Sequence, residues 1–254
     1  HMDKEQLGRF LIYILQENEK RFGMTSDAID PNVRLSSLIT ELHSKTGRQV
    51  VVLIDEYDAP LLDVAHENDK LSELRQVMRN FYSPLKALDP HLKFVFITGI
   101  TKFSQLSIFS ELNNLNNISM LPEFAAICGI TEEEMLTQMS DYIDRFAQAN
   151  EQTRDEAIAD LKRQYDGYHF AWPSPDIFNP FSLLNAFAVK ILKSFWFESG
   201  TPTFIIEKLK EYNVVPSMLK PTEVMASDFD APTENMSSIM PLLYQSGYYT
   251  IKDY

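Results

Sequence analysis

A single cysteine, Cys128, stands in the 254 residues of the chain. No intramolecular disulfide can form, and one thiol fits a reducing compartment. No apolar run approaches the ~20 residues that a membrane-spanning helix needs. The start lacks the basic, apolar and small-residue order of a signal peptide, and His1-Met2 reads as a cloning remnant. Together these absences make a cytoplasmic protein the expectation. Basic residues are also few: 23 Lys and Arg against 36 Asp and Glu leave a formal net charge of -13. Such a chain repels phosphate backbones and anionic membranes at long range, so neither bulk nucleic-acid binding nor membrane docking is expected. The five histidines show no pair at the helical or hairpin spacing of metal ligands, which argues against a structural zinc. No G-x-S-x-G elbow is present. The "AAICGI" context of Cys128 reads as a buried segment rather than the exposed, electropositive setting of a reactive thiol.

Glycine is the scarcity with the most consequence. The eight glycines are Gly8, Gly23, Gly47, Gly99, Gly129, Gly167, Gly200 and Gly247. A phosphate-wrapping loop needs two glycines five positions apart followed by Lys and Ser or Thr; the nearest two here, Gly8 and Gly23, are far too widely spaced. The same spacing excludes the G-x-G-x-x-G dinucleotide loop.

What is present is a set of regular elements. Apolar Leu7, Phe10, Leu11, Ile14 and Leu15 predict a helix over residues 3–22. Asp30-Pro31 is a cap-then-proline start, Leu35, Leu38, Ile39 and Leu42 follow at helical spacing, and Gly47 suits a stop. Val50 to Ile54 is continuously apolar and β-branched, which predicts a strand buried on both faces of a parallel sheet. Leu71, Leu74, Val77, Met78, Phe81 and Leu85 mark a helix ending before Pro90, and Phe94 to Ile97 is a second apolar strand. Strand, helix and strand make a βαβ unit. Beyond it, Thr131 with Glu134 and Thr153 with Glu156 are capping-box patterns, and Asn179-Pro180 and Thr201-Pro202 are further helix starts. The final "MPLLYQSGYYTIKDY" reads as an apolar helical turn that passes through Gly247 into a short strand. Aromatic residues gather after Tyr165. The expectation is an α/β domain over residues 3–130 and a mostly helical one over 131–254.

The first strand delivers its chain to "DEYD". Asp55 and Glu56 at the end of a buried strand fit one half of a nucleoside triphosphate site: an acid that holds Mg²⁺ through water, and a neighbour that polarises the attacking water. The other half, the nest of backbone N–H groups with its lysine, has no counterpart in this sequence. The plain alternative is a strand whose first exposed residues happen to be acidic. Asp58 reads as a helix cap ahead of Pro60, with support of the loop after the strand as its other reading. A use of Asp55, Glu56 and Asp58 in metal-dependent phosphodiester cleavage is a lesser possibility, because the charge balance makes DNA a poor substrate.

Six stretches, "VVVLIDEYDAPL", "FVFITGITKFSQLSIFSELNNLNNIS", "CGITEEEM", "YDGYHF", "NPFSLLNAF" and "LLYQSGYYTI", resemble in this order the AAA-ATPase-like family of bacterial P-loop proteins, from about residue 35 to the end. The resemblance implies a partial P-loop NTPase-like α/β core with a Walker B strand, followed by a helical lid with a winged-helix-like character, and Mg²⁺ and ATP as cofactors of the intact family member. It implies two further segments as partners, a Walker A segment upstream and, in many members, a nuclease-like domain of the PD-(D/E)XK type downstream. The chain then corresponds to an internal fragment or a natural variant, inactive alone. By position, Asp55 becomes the Mg²⁺-associated acid, Glu56 the water-activating base, Thr98 a polar γ-phosphate sensor and Lys102 a phosphate-facing cation. For Thr98 a backbone-bonded hydroxyl, and for Lys102 a solvated loop charge, are the plain alternatives. Asn113, Asn114, Asn116 and Asn117 read as a structured loop or as a nucleotide-proximal switch. "YDGYHF" reads as aromatic packing, with His169 hydrogen-bonded inside it. A rival class is a non-catalytic interaction module, in which an unpaired sheet edge promotes self-association.

Overall fold

The computed structural model describes residues 2–62, 64, 67–99, 108–109, 112, 114–198, 203–215, 217, 220–225, 228 and 238–252. Contacts divide the chain into two compact units. One comprises residues 1–116 with 204–246, the other 117–203 with 247–254. The single cut expected near residue 130 therefore differs from the observed division, which falls after Asn116 and returns a later stretch to the first unit. Long-range packing sets such a division, and local pattern does not report it.

The first unit opens with helix α1 (Lys4–Arg21). Its start is a reciprocal cap: Asp3 accepts from the Gln6 N–H at 2.8 Å, and the Gln6 side chain accepts from the Asp3 N–H at 2.9 Å. Leu7, Leu11, Leu15 and Glu19 are buried at four-residue spacing, which is one narrow stripe of a 3.6-residue helix. Phe10 and Ile14, expected on the same face, lie outside that stripe and are exposed. Glu19 ends the stripe in a buried ion pair, its carboxylate 2.7 Å from the Arg34 guanidinium, whose other nitrogen donates to the Ala28 carbonyl at 2.8 Å. Helix α2 (Pro31–Thr46) starts at Asp30 as expected, but the Asp30 side chain makes no capping hydrogen bond, and the start is marked by the proline. Gly47 ends the helix at φ 64°, the left-handed conformation that glycine adopts without a steric penalty.

Strand β1 (Val50–Ile54) pairs in parallel with β2 (Leu92–Ile97). Between them run α3 (Ala59–Leu62), α4 (Asn68–Tyr82), α5 (Pro84–Ala87) and a 3₁₀ turn (Asp89–His91). The expected βαβ connection is thus present. The register pairs Val51 with Phe94, Val52 with Val95, Leu53 with Phe96, and Ile54 with Ile97. Val52, Ile54, Val95 and Ile97 face a core built from Leu35, Leu38, Ile39, Leu71, Leu74 and Met78 among others. The opposite face is open: Val51 is 51 % exposed, Leu53 70 % and Phe94 54 %. This corrects the expectation of a strand buried on both faces. A run without alternation shows that both faces are apolar, whereas burial also requires a layer on each side, and the described residues supply one layer.

The second unit is mostly helical. Its helices are α6 (Glu132–Gln138), α7 (Ser140–Ala149), α8 (Arg154–Tyr165), α9 (Pro180–Val189) and α10 (Phe195–Glu198). They enclose Met135, Ile143, Phe146, Leu161, Phe178, Leu183 and Phe187. Both capping boxes form, and Asn179 caps α9 by accepting from the Ser182 N–H. A two-residue antiparallel pair, β3 (Ile130–Thr131) with β4 (Ile177–Phe178), is the sheet among the described residues of this unit. "AAICGI" is corrected: Ala125 is buried, but Ile127 and Cys128 are exposed, because residues 125–128 are turns at the surface that follow a 3₁₀ turn (Pro122–Phe124) rather than an element with an inner face. Helix α11 (Thr203–Glu211), from its second residue onward, and α12 (Met240–Gln245) belong to the first unit. The start expected at Thr201-Pro202 lies outside the described residues, and residues 248–252 form no strand. Among the described residues no helix is long and apolar enough to cross a membrane.

Candidate functional site

The candidate site is the carboxyl rim of the β1–β2 pair. The ladder continues one step beyond the strands: the Thr98 N–H donates to the Ile54 carbonyl at 2.8 Å, and the Tyr57 N–H donates to the Thr98 carbonyl at 3.0 Å. This brings residues 55–57 and residue 98, far apart in sequence, to the same edge. The Thr98 hydroxyl donates to the Asp55 carboxylate through Oδ1. The same oxygen accepts from the Glu56 N–H at 3.1 Å. Asp55 and Glu56 are exposed and Thr98 is half-buried, so the acids face solvent from the end where parallel strands present their loops. Glu56 itself has φ 50°, a left-handed conformation that is rare for a side chain of its size.

Behind the rim the chain turns inward. The Ala59 N–H donates to the Glu56 carbonyl, and the Leu61 and Leu62 N–H groups donate to the Asp58 carbonyl at 2.8 and 3.2 Å. Tyr57 and Asp58 are buried, Asp58 completely. Asp58 therefore supports the loop from below and does not share the open rim with Asp55 and Glu56. Gly99 explains how the packing closes: a Cβ built there meets the Tyr57 ring at 2.5 Å and Asp58 Oδ1 at 2.7 Å. The Tyr57 ring packs against Phe109, which also meets Tyr82, with centroids 5.0 and 5.4 Å apart. Burial pushes the Tyr82 hydroxyl well above its ordinary range, and the nearby Tyr57 and the charge of Asp58 add to the push.

Of the residues expected at the site, the structure brings Asp55, Glu56 and Thr98 together. Lys102 lies outside the described residues, as does Asn113. Asn114 donates to Asp89 at 3.4 Å, and the Asn117 side chain accepts from the Ser119 N–H at 3.1 Å, both contacts of a structured loop. In the second unit His169 is buried, with Nε2 2.8 Å from Asp176, Nδ1 3.0 Å from the Ser174 hydroxyl, and its ring edge-on to Trp172. That is the hydrogen-bonded packing role expected of it. Sequence reasoning did not find the close fit of Gly99 over Asp58, nor the meeting of His43 with His91, whose Nδ1 atoms lie 2.9 Å apart. The pairing of β1 with β2 brings Gly99 to Asp58, and the packing of α2 against the 3₁₀ turn brings His43 to His91, and no local spacing signals either.

The rim fits part of a nucleotide site. One exposed carboxylate carrying a hydroxyl partner can accept water bound to Mg²⁺, and Glu56 lies beside it. Among the described residues no group of three or more His, Cys, Asp or Glu could hold a metal ion directly. Nor does the sequence contain a glycine-lysine nest for a triphosphate. A cavity of about 430 Å³, lined among others by Lys4, Asp30, Asn32, Asn80 and Ser83, shares no residue with the rim.

Comparison with known proteins adds a similarity to a family over the first part of the chain. Residues 1–109 match the family model described as "Predicted AAA-ATPase". The matched stretch contains β1, the crossover, β2 and the rim, and stops short of the second unit. A protein of Azotobacter chroococcum mcd 1, described as "Uncharacterized protein in vnfD 5'region", is 34 % identical over 251 residues, which is 98 % of this chain and 46 % of that protein. The chain thus spans about half the length of the curated relative it matches. No solved structure matches. The strand pair with its acidic rim lies within residues 1–109, the stretch that is similar to the predicted AAA-ATPase family.

Proposed function

We propose that the chain is the acid-bearing part of an ATP-handling module: a partial P-loop-like core whose carboxyl rim supplies Asp55 and Glu56, followed by the helical unit as a lid with winged-helix-like character. The observation that carries this reading is the Thr98–Asp55 hydrogen bond across the ends of two parallel strands. It sets a hydroxyl and a carboxylate side by side where open α/β sheets bind ligands. In this reading Asp55 holds Mg²⁺ through water, Glu56 orients the attacking water, Thr98 reads the terminal phosphate, and Lys102 adds a cation. Mg²⁺, when bound, neutralises charge between the acids and a triphosphate. The chain's own residues position and polarise, but they do not wrap the phosphates.

Catalysis of phosphoryl transfer depends on preorganised donors at the phosphates. Two carboxylates cannot replace them, so this chain alone turns over no ATP. The nest is supplied by a Walker A segment, and a nuclease-like PD-(D/E)XK domain is a further partner of the intact protein. The expected result is an ATP turnover rate with Mg²⁺ equal to that of Glu56→Gln. Mg²⁺-dependent turnover that this substitution abolishes overturns the proposal.

A second reading, a non-catalytic interaction module that self-associates, is favoured by the open apolar face of Val51, Leu53 and Phe94. Light scattering separates it from the first: a mass that does not change with concentration counts against association.

A further inference from the structure

Two costly features lie side by side just behind the rim. Asp58 has no exposed surface at all, and burying a carboxylate is expensive. It lies close enough to the buried Tyr82 hydroxyl for its charge to act there. Two residues before it, Glu56 holds φ 50°, which a residue with a side chain adopts rarely. Both features serve one arrangement. Because the chain turns inward at Asp58, residues 55–57 form a tight bend, closed by the Ala59 N–H donating to the Glu56 carbonyl at 3.0 Å. The bend aims two N–H groups back at the rim. That of Glu56 donates to Asp55 Oδ1 at 3.1 Å, and that of Tyr57 to the Thr98 carbonyl at 3.0 Å. From the other strand, Gly99 lies directly against the same anchor: a Cβ built there meets the Tyr57 ring at 2.5 Å and Asp58 Oδ1 at 2.7 Å. Thr98, whose hydroxyl reaches Asp55, is thus carried by a chain that rests on Asp58.

We infer that Asp58 is the positioning residue of the rim: its buried carboxylate, with the Tyr57 ring, forms the bed that holds Gly99 and the left-handed bend at Glu56, and thereby keeps the Thr98 hydroxyl on Asp55. What the rim is for rests on the ATP-handling reading; how the rim is held does not. Asp55 Oδ1 takes both the Thr98 hydroxyl and the Glu56 N–H, so Oδ2 is the oxygen that faces a metal-bound water. Asp58 touches neither metal nor phosphate and acts through the bend. A rim held in this way is set before any ligand arrives, which is what a site built from exposed acids on two separate loops needs. Without the carboxylate the bed is hollow, Glu56 relaxes toward the common right-handed backbone, and Asp55 is free to rotate away from Thr98.

The test is a double-mutant cycle between Thr98→Val and Asp55→Ala, read from urea unfolding of the full chain. It is run in wild type, Asp58→Ala, Gly99→Ala and Ile39→Val, the last a change of a buried core residue on α2. In wild type and Ile39→Val the unfolding constant of the double variant should depart from the product of the single effects by at least ~5-fold, and in Asp58→Ala and Gly99→Ala it should agree to within ~2-fold. Gly99→Ala disturbs the same contact from the other strand, so it decides the matter if Asp58→Ala does not fold. Coupling that persists undiminished in either of these backgrounds, that is lost in Ile39→Val as well, or that is absent from the wild type overturns the proposal. A separate titration of the wild type with Mn²⁺ follows the amide NMR resonances of Asp55 and Glu56. Resonances that Mn²⁺ leaves sharp count against the ATP-handling reading, whereas the cycle alone decides Asp58, so the two failures are told apart.

Discussion

Gly99 occupies a position where a methyl group has no room. The Tyr57 ring carbons lie at 2.5 and 2.6 Å from a built Cβ, and Asp58 Oδ1 at 2.7 Å. Neither neighbour is the free end of a flexible chain, since Tyr57 and Asp58 are both buried. Gly99→Ala is therefore expected to cost about 1–3 kcal/mol, as overpacking of a filled interior does, and urea unfolding measures it. A loss below ~0.5 kcal/mol would mean that the turn yields and that the loop is not held from beneath. At this scale the sequence was legible where a residue type carries its own signal. The position of Asp55 and Glu56 at a strand end was readable because acids following an apolar run are conspicuous, and that of Thr98 because it ends the second such run. The burial of Asp58 and the need for Gly99 were not legible, since each is defined by the other across the crossover. The same holds for Glu19 and Arg34, a buried pair whose members each read in isolation as a surface charge.

Among the elements, the helix starts were the most legible, because a cap is a local device. Thr131 and Glu134 show why. The Glu134 carboxylate accepts from the Thr131 N–H at 2.9 Å and from its hydroxyl at 2.8 Å, while the Thr131 oxygen accepts from the Glu134 N–H at 3.2 Å. All partners lie within three residues, so no tertiary contact is needed to specify them. Thr131→Ala is expected to destabilise the second unit by about 1 kcal/mol. The bonds from the Thr131 N–H and hydroxyl hold the Glu134 carboxyl below the ordinary glutamate value of 4.5. A folded-state pKa below the unfolded one gives stability that is present above the unfolded value and is lost as pH falls through the folded one. The acid-limb decline of stability below about pH 4.5 should thus be shallower in Glu134→Gln than in wild type. Thermal unfolding across that range checks it, and a steeper decline in the variant would reverse the assigned sign. Strand faces were less legible than caps. The parallel pairing of β1 and β2 followed from two apolar runs about a crossover's length apart. Which face is covered depends on neighbours that periodicity does not encode.

For the whole molecule, the open sheet face and the charge act in opposite directions. Val51 pairs with Phe94 and Leu53 with Phe96, and this apolar strip lies on a chain of formal net charge -13. Apolar contact drives copies together at short range, while the shared negative charge holds them apart at long range and is screened by salt. Association through this face should therefore strengthen as ionic strength rises, the opposite of what a charge-paired interface shows. Leu53, the most exposed of the strip, is the residue to change. Because it is 70 % exposed, Leu53→Glu should alter the unfolding free energy by no more than ~0.5 kcal/mol. It also places a charge in the middle of the strip, where covering it costs far more than leaving it in water. Light scattering over a concentration series, at low and high salt, should show the apparent mass of the wild type rising with both variables and that of Leu53→Glu staying constant. If Leu53→Glu unfolds the chain instead, the strip is interior and the open-face account fails. If both proteins scatter alike at every salt, the strip is exposed but does not mediate association.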